Sequence, residues 1–215
     1  ARRRPLQHLT GSAGFWRFDL AVGPGVFIPR PETELLAEWA LRSLQGVERP
    51  TAVDLCAGSG AIAKAILCDR PDATVYAVEA DDAAAAWLRR NLADTSAAVV
   101  RGDAVAGETL AELDGTCDAV LSNPPYVPTH VVTGPEVAAD PPSAVYAGAD
   151  GLDVIRPLAP RCAALLRPGG VVAIEHDETH GQAVVALLRS AGLVDVADHR
   201  DLAGRPRFAT ARRPG

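Results

Sequence analysis

Four residues near the middle of the chain, Asn123-Pro124-Pro125-Tyr126, hold the clearest chemical pattern in the sequence. Neither proline can donate a backbone hydrogen bond or continue a central strand, so the pair stiffens a short loop with an amide at one end and a phenol at the other. Such a loop suits a planar amide or arylamine nitrogen as substrate. That nitrogen is a poor nucleophile, because its lone pair is delocalised. The Asn123 side-chain carbonyl and a proline backbone carbonyl, that of Pro124, can accept its two N–H bonds and aim it at a methyl donor. Pro124 and Pro125 fix those acceptors before substrate arrives, and Tyr126 offers a flat face against the planar group. An ordinary Asn-Pro turn is the alternative. The place of the motif, after an apolar strand-like run and downstream of a glycine turn, favours the chemical reading.

The glycine turn lies in DLCAGSGAIA, Asp54 to Ala63, at a strand-to-helix junction. Gly58 and Gly60 let the backbone turn tightly and approach a ligand with no Cβ in the way. Glu79, at the end of the next strand, can accept hydrogen bonds from ribose hydroxyls, and the combination points to an adenosine-containing cofactor. GSGAIA also satisfies the G-x-G-x-x-A form of the dinucleotide fingerprint, in which a helix N-terminus holds a pyrophosphate. Asp54 argues for another cofactor. A carboxylate there repels a diphosphate, yet suits the cationic methionine end of S-adenosylmethionine; the alternative for Asp54 is a local cap or turn residue.

Other candidates are weaker. Glu175 to His180, EHDETH, carries two histidines four apart, but with a strand ending at His176 they share no helix face. Solvated loop charges are expected there, and no metal. The four cysteines form no CxxC pair and have no neighbouring histidine, which fits reduced thiols in a cytoplasmic protein and no nucleophile. Arg2-Arg3-Arg4, Arg89-Arg90 and Arg212-Arg213 are short runs that read as solvated.

The elements that must position these groups follow from pattern. From Thr51 onward, short apolar runs alternate with helical segments: TAVDLC, GSGAIAKAILCD, ATVYAVEA, DDAAAAWLRRNLAD, AAVVRGD, a short helix in GETLAEL, and CDAVLS. After a long loop over 127–150 come a helix in GLDVIRPLAPRCAALL, an RPGG turn, the strand VVAIEH, and a helix ended by Gly192. Strand–helix alternation predicts an α/β fold with a parallel sheet covered on both faces. The last two strand-like runs, LVDVADHRD and RPRFATARR, predict an antiparallel edge. Upstream, residues 15–22 read as a strand before the Gly23-Pro24-Gly25 turn, and PRPETELLAEWALRSL as a helix. With 215 residues, 48% of them hydrophobic, the chain can bury one substantial core. Its net charge of −6 advertises no broad grip on nucleic acid, and no apolar run is long enough to span a membrane. The chain lacks methionine even at position 1, so it reads as part of a longer or processed protein.

The order of these motifs resembles class I S-adenosylmethionine-dependent methyltransferases of amide or exocyclic nitrogens. VFIPRPETELL, Val26 to Leu36, narrows the resemblance to the HemK/PrmC family of protein-(glutamine-N5) methyltransferases acting on peptide chain release factors. It extends from about Pro5 to Arg213, including PPSAVYAGADGLDVIRPL and DLAGRPRFATARR. The resemblance implies a class I methyltransferase fold: a seven-stranded, mostly parallel sheet with an antiparallel C-terminal strand, preceded by a β-hairpin at residues 15–28. It divides the chain into a linker hairpin and first helix (1–48) and a catalytic domain (49–215), with a helical N-terminal domain outside the sequence. Cofactor contacts map onto Asp54, Cys56, Ala57, Gly58, Ser59, Gly60, Glu79, Asp103, Ala104 and Asn123. Asn123 to Tyr126 hold the glutamine of a Gly-Gly-Gln tip, and Pro29, Arg30, Pro31 and Glu32 line the site mouth. S-adenosylmethionine becomes S-adenosylhomocysteine, the partner is a release factor, and a monomer is expected. Adenine-N6 methylation of DNA or RNA shares the Asn-Pro-Pro-Tyr logic and is the second reading. Two positions depart from the family pattern: Cys56 stands where the first glycine of the turn is usual, and Ala104 where a larger side chain is common.

Overall fold

The computed structural model describes residues 4–215, so Arg2 and Arg3 of the N-terminal arginine run lie outside the described residues. A short helix α1 (Leu6–Thr10) leads into a hairpin of β1 (Ser12–Phe15) and β2 (Phe18–Ala21), then α2 (Thr33–Ser43). The alternating core follows as β3 (Thr51–Leu55), α3 (Ala61–Asp69), β4 (Thr74–Glu79), α4 (Asp82–Leu92), β5 (Ala98–Arg101) and β6 (Cys117–Ser122). It continues with α5 (Ile155–Leu165), β7 (Leu166–Glu175), α6 (Gly181–Ser190), β8 (Val194–Arg200) and β9 (Pro206–Arg212).

Seven strands form one sheet in the order β5-β4-β3-β6-β7-β9-β8. All ladders from β5 to β7 are parallel, and β9 runs antiparallel to both of its neighbours. The expected antiparallel C-terminal strands are present at one edge of the sheet; within the pair, β9 is inserted between β7 and β8, and β8 is outermost. β9 is largely buried while β8 is half exposed, so burial of PRFATAR on both faces decides which of the two goes inside.

Side chains alternate between two apolar layers. Val53, Leu55, Val120, Val172 and Ile174 face α5 and α6, packing on Ile155, Leu158, Leu165, Val184 and Leu188. Ala52, Val75, Ala77, Leu121 and Ala173 face α2, α3 and α4, packing on Leu36, Ile62, Ile66, Leu88 and Leu92. Each such fully buried leucine or isoleucine contributes about 1.5–3 kcal/mol. A third cluster joins the hairpin, through Phe15, Leu20 and Val22, to Ala61 and Ala65 of α3 and Ala84 of α4.

Local readings are corrected in four places. The hairpin lies at 12–21, not 15–28, because Trp16 takes a left-handed conformation (φ 54°) and Trp16-Arg17 make the turn. No Gly, Asn or Asp marks that turn, so FWRF reads as continuous strand. GETLAEL makes only a 3-10 turn at Ala111–Leu113. RPGG does not separate a helix from a strand; it is a register irregularity within β7, where Gly170 packs so close to β6 that a Cβ would lie 2.7 Å from the Cys117 carbonyl oxygen. The helix read over residues 151–166 begins at Ile155, which puts Pro157 in its first turn, where a missing N–H costs nothing; Pro160 is interior.

Candidate functional site

Strand order reverses between β3 and β6: from β3 the chain steps to β4 and β5 on one side, and from β6 to β7 on the other. A crevice at the carboxyl ends of the strands is expected at such a point. Leu55 pairs with Ser122, so the glycine turn after β3 and the Asn-Pro-Pro-Tyr loop after β6 leave the sheet side by side. The Ser122 hydroxyl donates to the Leu55 carbonyl at 2.7 Å and locks the two exits together.

A cleft of about 750 Å³ opens there. Cys56, Ala57, Gly58, Ser59, Glu79, Asp103 and Ala104 line one part, and Asn123, Pro124, Pro125 and Tyr126 another, with Pro29 and Arg30 beside them. Asp54, Gly60, Pro31 and Glu32 are not among the lining residues. Gly60 is instead the left-handed cap of α3 (φ 86°), where a Cβ would lie 2.8 Å from Leu88 Cδ1. Glu32 precedes α2 and lies 3.8 Å from Arg205. Arg30 pairs with buried Asp140, which also accepts from the Ile28 N–H at 3.1 Å; it ties the hairpin exit to the loop walling the cleft.

The turn itself is held by carboxylates. Asp54 is buried beneath it and accepts from the Ala63 N–H at 3.0 Å, while its Oδ1 is buried with no protein partner. Burial and the Glu79 charge push Asp54 up to about 7. Glu79 accepts from the Gly58 N–H at 2.9 Å and the Asp81 N–H at 2.7 Å, and its remaining lone pairs are available to a ligand hydroxyl. Cys56 has φ 60°, a left-handed conformation that a glycine would adopt without strain. Burial and the Glu79 charge push its thiol up to about 12, so it stays protonated near neutral pH.

The lining carries five carboxylates, Glu79, Asp81, Asp103, Asp153 and Asp177, against one arginine, Arg30. With an orphaned Asp54 oxygen below, this environment suits a cationic ligand and opposes a diphosphate. The residues present therefore fit S-adenosylmethionine and disfavour the dinucleotide reading.

At the other end, hydrogen bonds converge on a residue that sequence reasoning had placed among solvated charges. Glu175, at the end of β7, is 1% exposed. It accepts from the Thr33 hydroxyl at 2.7 Å and from the Tyr126 hydroxyl at 3.1 Å. Thr33, in the first turn of α2, in turn accepts from Asn123 Nδ2 at 3.1 Å. Burial pushes Glu175 up to about 7, opposed by these hydroxyls and by Arg207. Tyr126 is raised as well, by burial first and by the Glu175 charge second. EHDETH is thus corrected: Glu175, His176 and His180 are all buried, and His176 Nε2 lies 3.2 Å from Asp198 Oδ1. Among the described residues no group of three or more His, Cys, Asp or Glu is placed to hold a metal ion. Thr33 and Glu175 were missed because their contacts join positions 142 residues apart. The only available signal was an acid at the carboxyl end of a central strand.

Sheet order, switch-point crevice and glycine turn define a class I methyltransferase. Residues 20–140 match the family model of the methyltransferase small domain. Solved structures of the same fold include a methyltransferase from Pyrococcus furiosus, at TM-score 0.63 and 18% identity, covering 92% of this chain and 89% of that one. Another is TrmN from Thermus thermophilus, at TM-score 0.56 and 22% identity, covering 83% of this chain and 48% of that one. Similarity in sequence is far greater to a release factor glutamine methyltransferase from Corynebacterium glutamicum, 50% identical over 99% of this chain and 78% of that protein. The protein of the same name from Mycolicibacterium smegmatis is 49% identical, over 99% of this chain and 76% of its own length. The chain belongs to the release factor glutamine methyltransferase family.

Proposed function

We propose that the protein transfers a methyl group from S-adenosylmethionine to the side-chain amide nitrogen of a glutamine in a peptide chain release factor. The observation that carries this reading is the Asn-Pro-Pro-Tyr loop facing a carboxylate-lined glycine turn across one cleft. Bound S-adenosylmethionine supplies an electrophilic methyl carbon and leaves as S-adenosylhomocysteine. Cys56 to Ser59, Glu79, Asp103 and Ala104 hold it, with Asp54 and Gly60 shaping the turn from behind. Asn123 Oδ1 and the Pro124 carbonyl accept the two N–H bonds of the glutamine amide, which fixes the nitrogen and stabilises the positive charge that develops on it. Tyr126 backs the planar amide. The nitrogen sheds its proton after transfer, so no strong base is needed in the rate-determining arrangement. Pro29 and Arg30 shape the mouth, with Pro31 and Glu32 setting the approach to α2. We assign the protein to the cytoplasm, as a monomer acting on a protein substrate.

The test is transfer of radiolabelled methyl from S-adenosylmethionine to a purified release factor, beside its Gln→Ala variant at the Gly-Gly-Gln tip and a DNA control. Label on the intact factor alone is expected. Label on DNA would replace this reading with adenine methylation, and label on the Gln→Ala factor would move the target residue.

A further inference from the structure

The Asn123–Thr33–Glu175 chain has a direction, and the direction matters for chemistry. A threonine hydroxyl has a single proton. With Glu175 ionised, its Oε2 can only accept, so the 2.7 Å bond takes the threonine's proton. Thr33 Oγ1 can then only accept from its other neighbour. Asn123, 3.1 Å away, must therefore turn its NH2 group toward Thr33. Because the amide is planar and two-sided, its Oδ1 is left for the cleft. A flipped amide would offer the cleft two donors and no acceptor, and would repel the N–H bonds of a substrate amide.

We propose that Thr33 and Glu175 are positioning residues that set the polarity of Asn123, making the cleft select a nitrogen that still carries N–H. The inference rests on the amide-methylation reading and gives the Pro29–Glu34 segment a task beyond lining the mouth: it delivers Thr33, 3% exposed, into the space between β6 and β7. The same carboxylate accepts from Tyr126, so one group orients both the acceptor and the platform of the substrate amide.

Thr33→Val removes the hydroxyl at nearly constant volume, and Thr33→Ser keeps it. With a release factor as substrate, Thr33→Val is expected to lower kcat about 30- to 100-fold, the scale of losing one oriented polar group in an active site. Its Kd for S-adenosylmethionine should be unchanged, and Thr33→Ser should stay within about threefold of wild type in kcat. A second readout needs no turnover. The Asn123 side-chain amide resonance, assigned by its loss in Asn123→Asp, should exchange slowly with solvent in wild type and Thr33→Ser, and fast in Thr33→Val. A fast-exchanging Asn123 amide in wild type overturns the inference whether or not any substrate is methylated. Equal kcat for Thr33→Val and wild type overturns it as well. Slow exchange in a protein that labels no release factor would instead support the inference and reject the substrate assignment.

Discussion

Asn123 and Cys56 stand side by side at the ends of adjacent strands, and they illustrate opposite uses of a residue. Asn123 is exposed to the cleft, bonded on one side to Thr33, and free to accept on the other. Asn123→Ala removes that acceptor and leaves the glycine turn untouched. Turnover on a release factor is expected to fall at least about 100-fold while S-adenosylmethionine binding persists; equilibrium dialysis beside single-turnover kinetics separates the two. Cys56 contributes no nucleophile and holds a left-handed conformation that a Cβ opposes. Cys56→Gly relieves about 1 kcal/mol of that strain, less the extra flexibility given to the unfolded chain. A small rise in the urea midpoint is expected, and a fall would mean that Cys56 packing outweighs its backbone strain.

Helix α4 shows how elements place the site from a distance. Its Asn91, 6% exposed, donates to the Ser59 carbonyl at 2.9 Å and to the Ala21 carbonyl at 3.0 Å, and accepts from the Ala21 N–H at 2.8 Å. One amide thus ties the hairpin strand β2 to the glycine turn. Truncating it leaves the buried Ser59 carbonyl and the part-buried Ala21 backbone groups without their partner. Asn91→Ala should lose about 2–4 kcal/mol of stability by urea unfolding and weaken S-adenosylmethionine binding, because the turn is no longer braced. Loss of stability with full affinity would show that the turn holds its shape without α4. The same helix is capped by Asp81, which accepts from the Ala83 and Ala84 N–H groups.

For the molecule as a whole, burial displaces interior carboxyl groups toward neutrality: Asp54 from 3.8 and Glu175 from 4.5, each to about 7, and Asp140 in the same direction. Between the unfolded and folded values the native state binds more protons than the unfolded chain, so each group contributes stability that is lost as pH rises toward 7. His176 and His199, held low by burial, contribute the opposite slope, which makes the wild-type curve alone ambiguous. The difference between wild type and Glu175→Gln isolates one group. Relative to wild type, Glu175→Gln should gain stability steadily as pH is raised from the carboxylate range to 7, read as urea midpoints across that window. A pH-independent difference would mean that Glu175 titrates normally.

How much of this was readable in advance depends on the range of the interaction. The glycine turn, the Asn-Pro-Pro-Tyr loop and the α/β alternation rest on contacts a few residues apart, and composition and spacing carry them. The Trp16-Arg17 turn is also local, yet it lacks the glycine or asparagine that announces such a turn. Chain-distant burial decided the rest: β9 goes inside the sheet because both of its faces find apolar cover, and RPGG joins β7 because Gly170 lets β6 approach. Glu175 is a solvated charge in sequence and a buried hub in space, since the packing of α2 across β7 brings Thr33 to it and the loop after β6 brings Tyr126. By itself the sequence determined which chemistry is available, because residue types and short spacings set donors, acceptors and rigid loops. Tertiary structure alone decided how those groups are aimed, because orientation depends on partners that meet only when the sheet has closed its two faces.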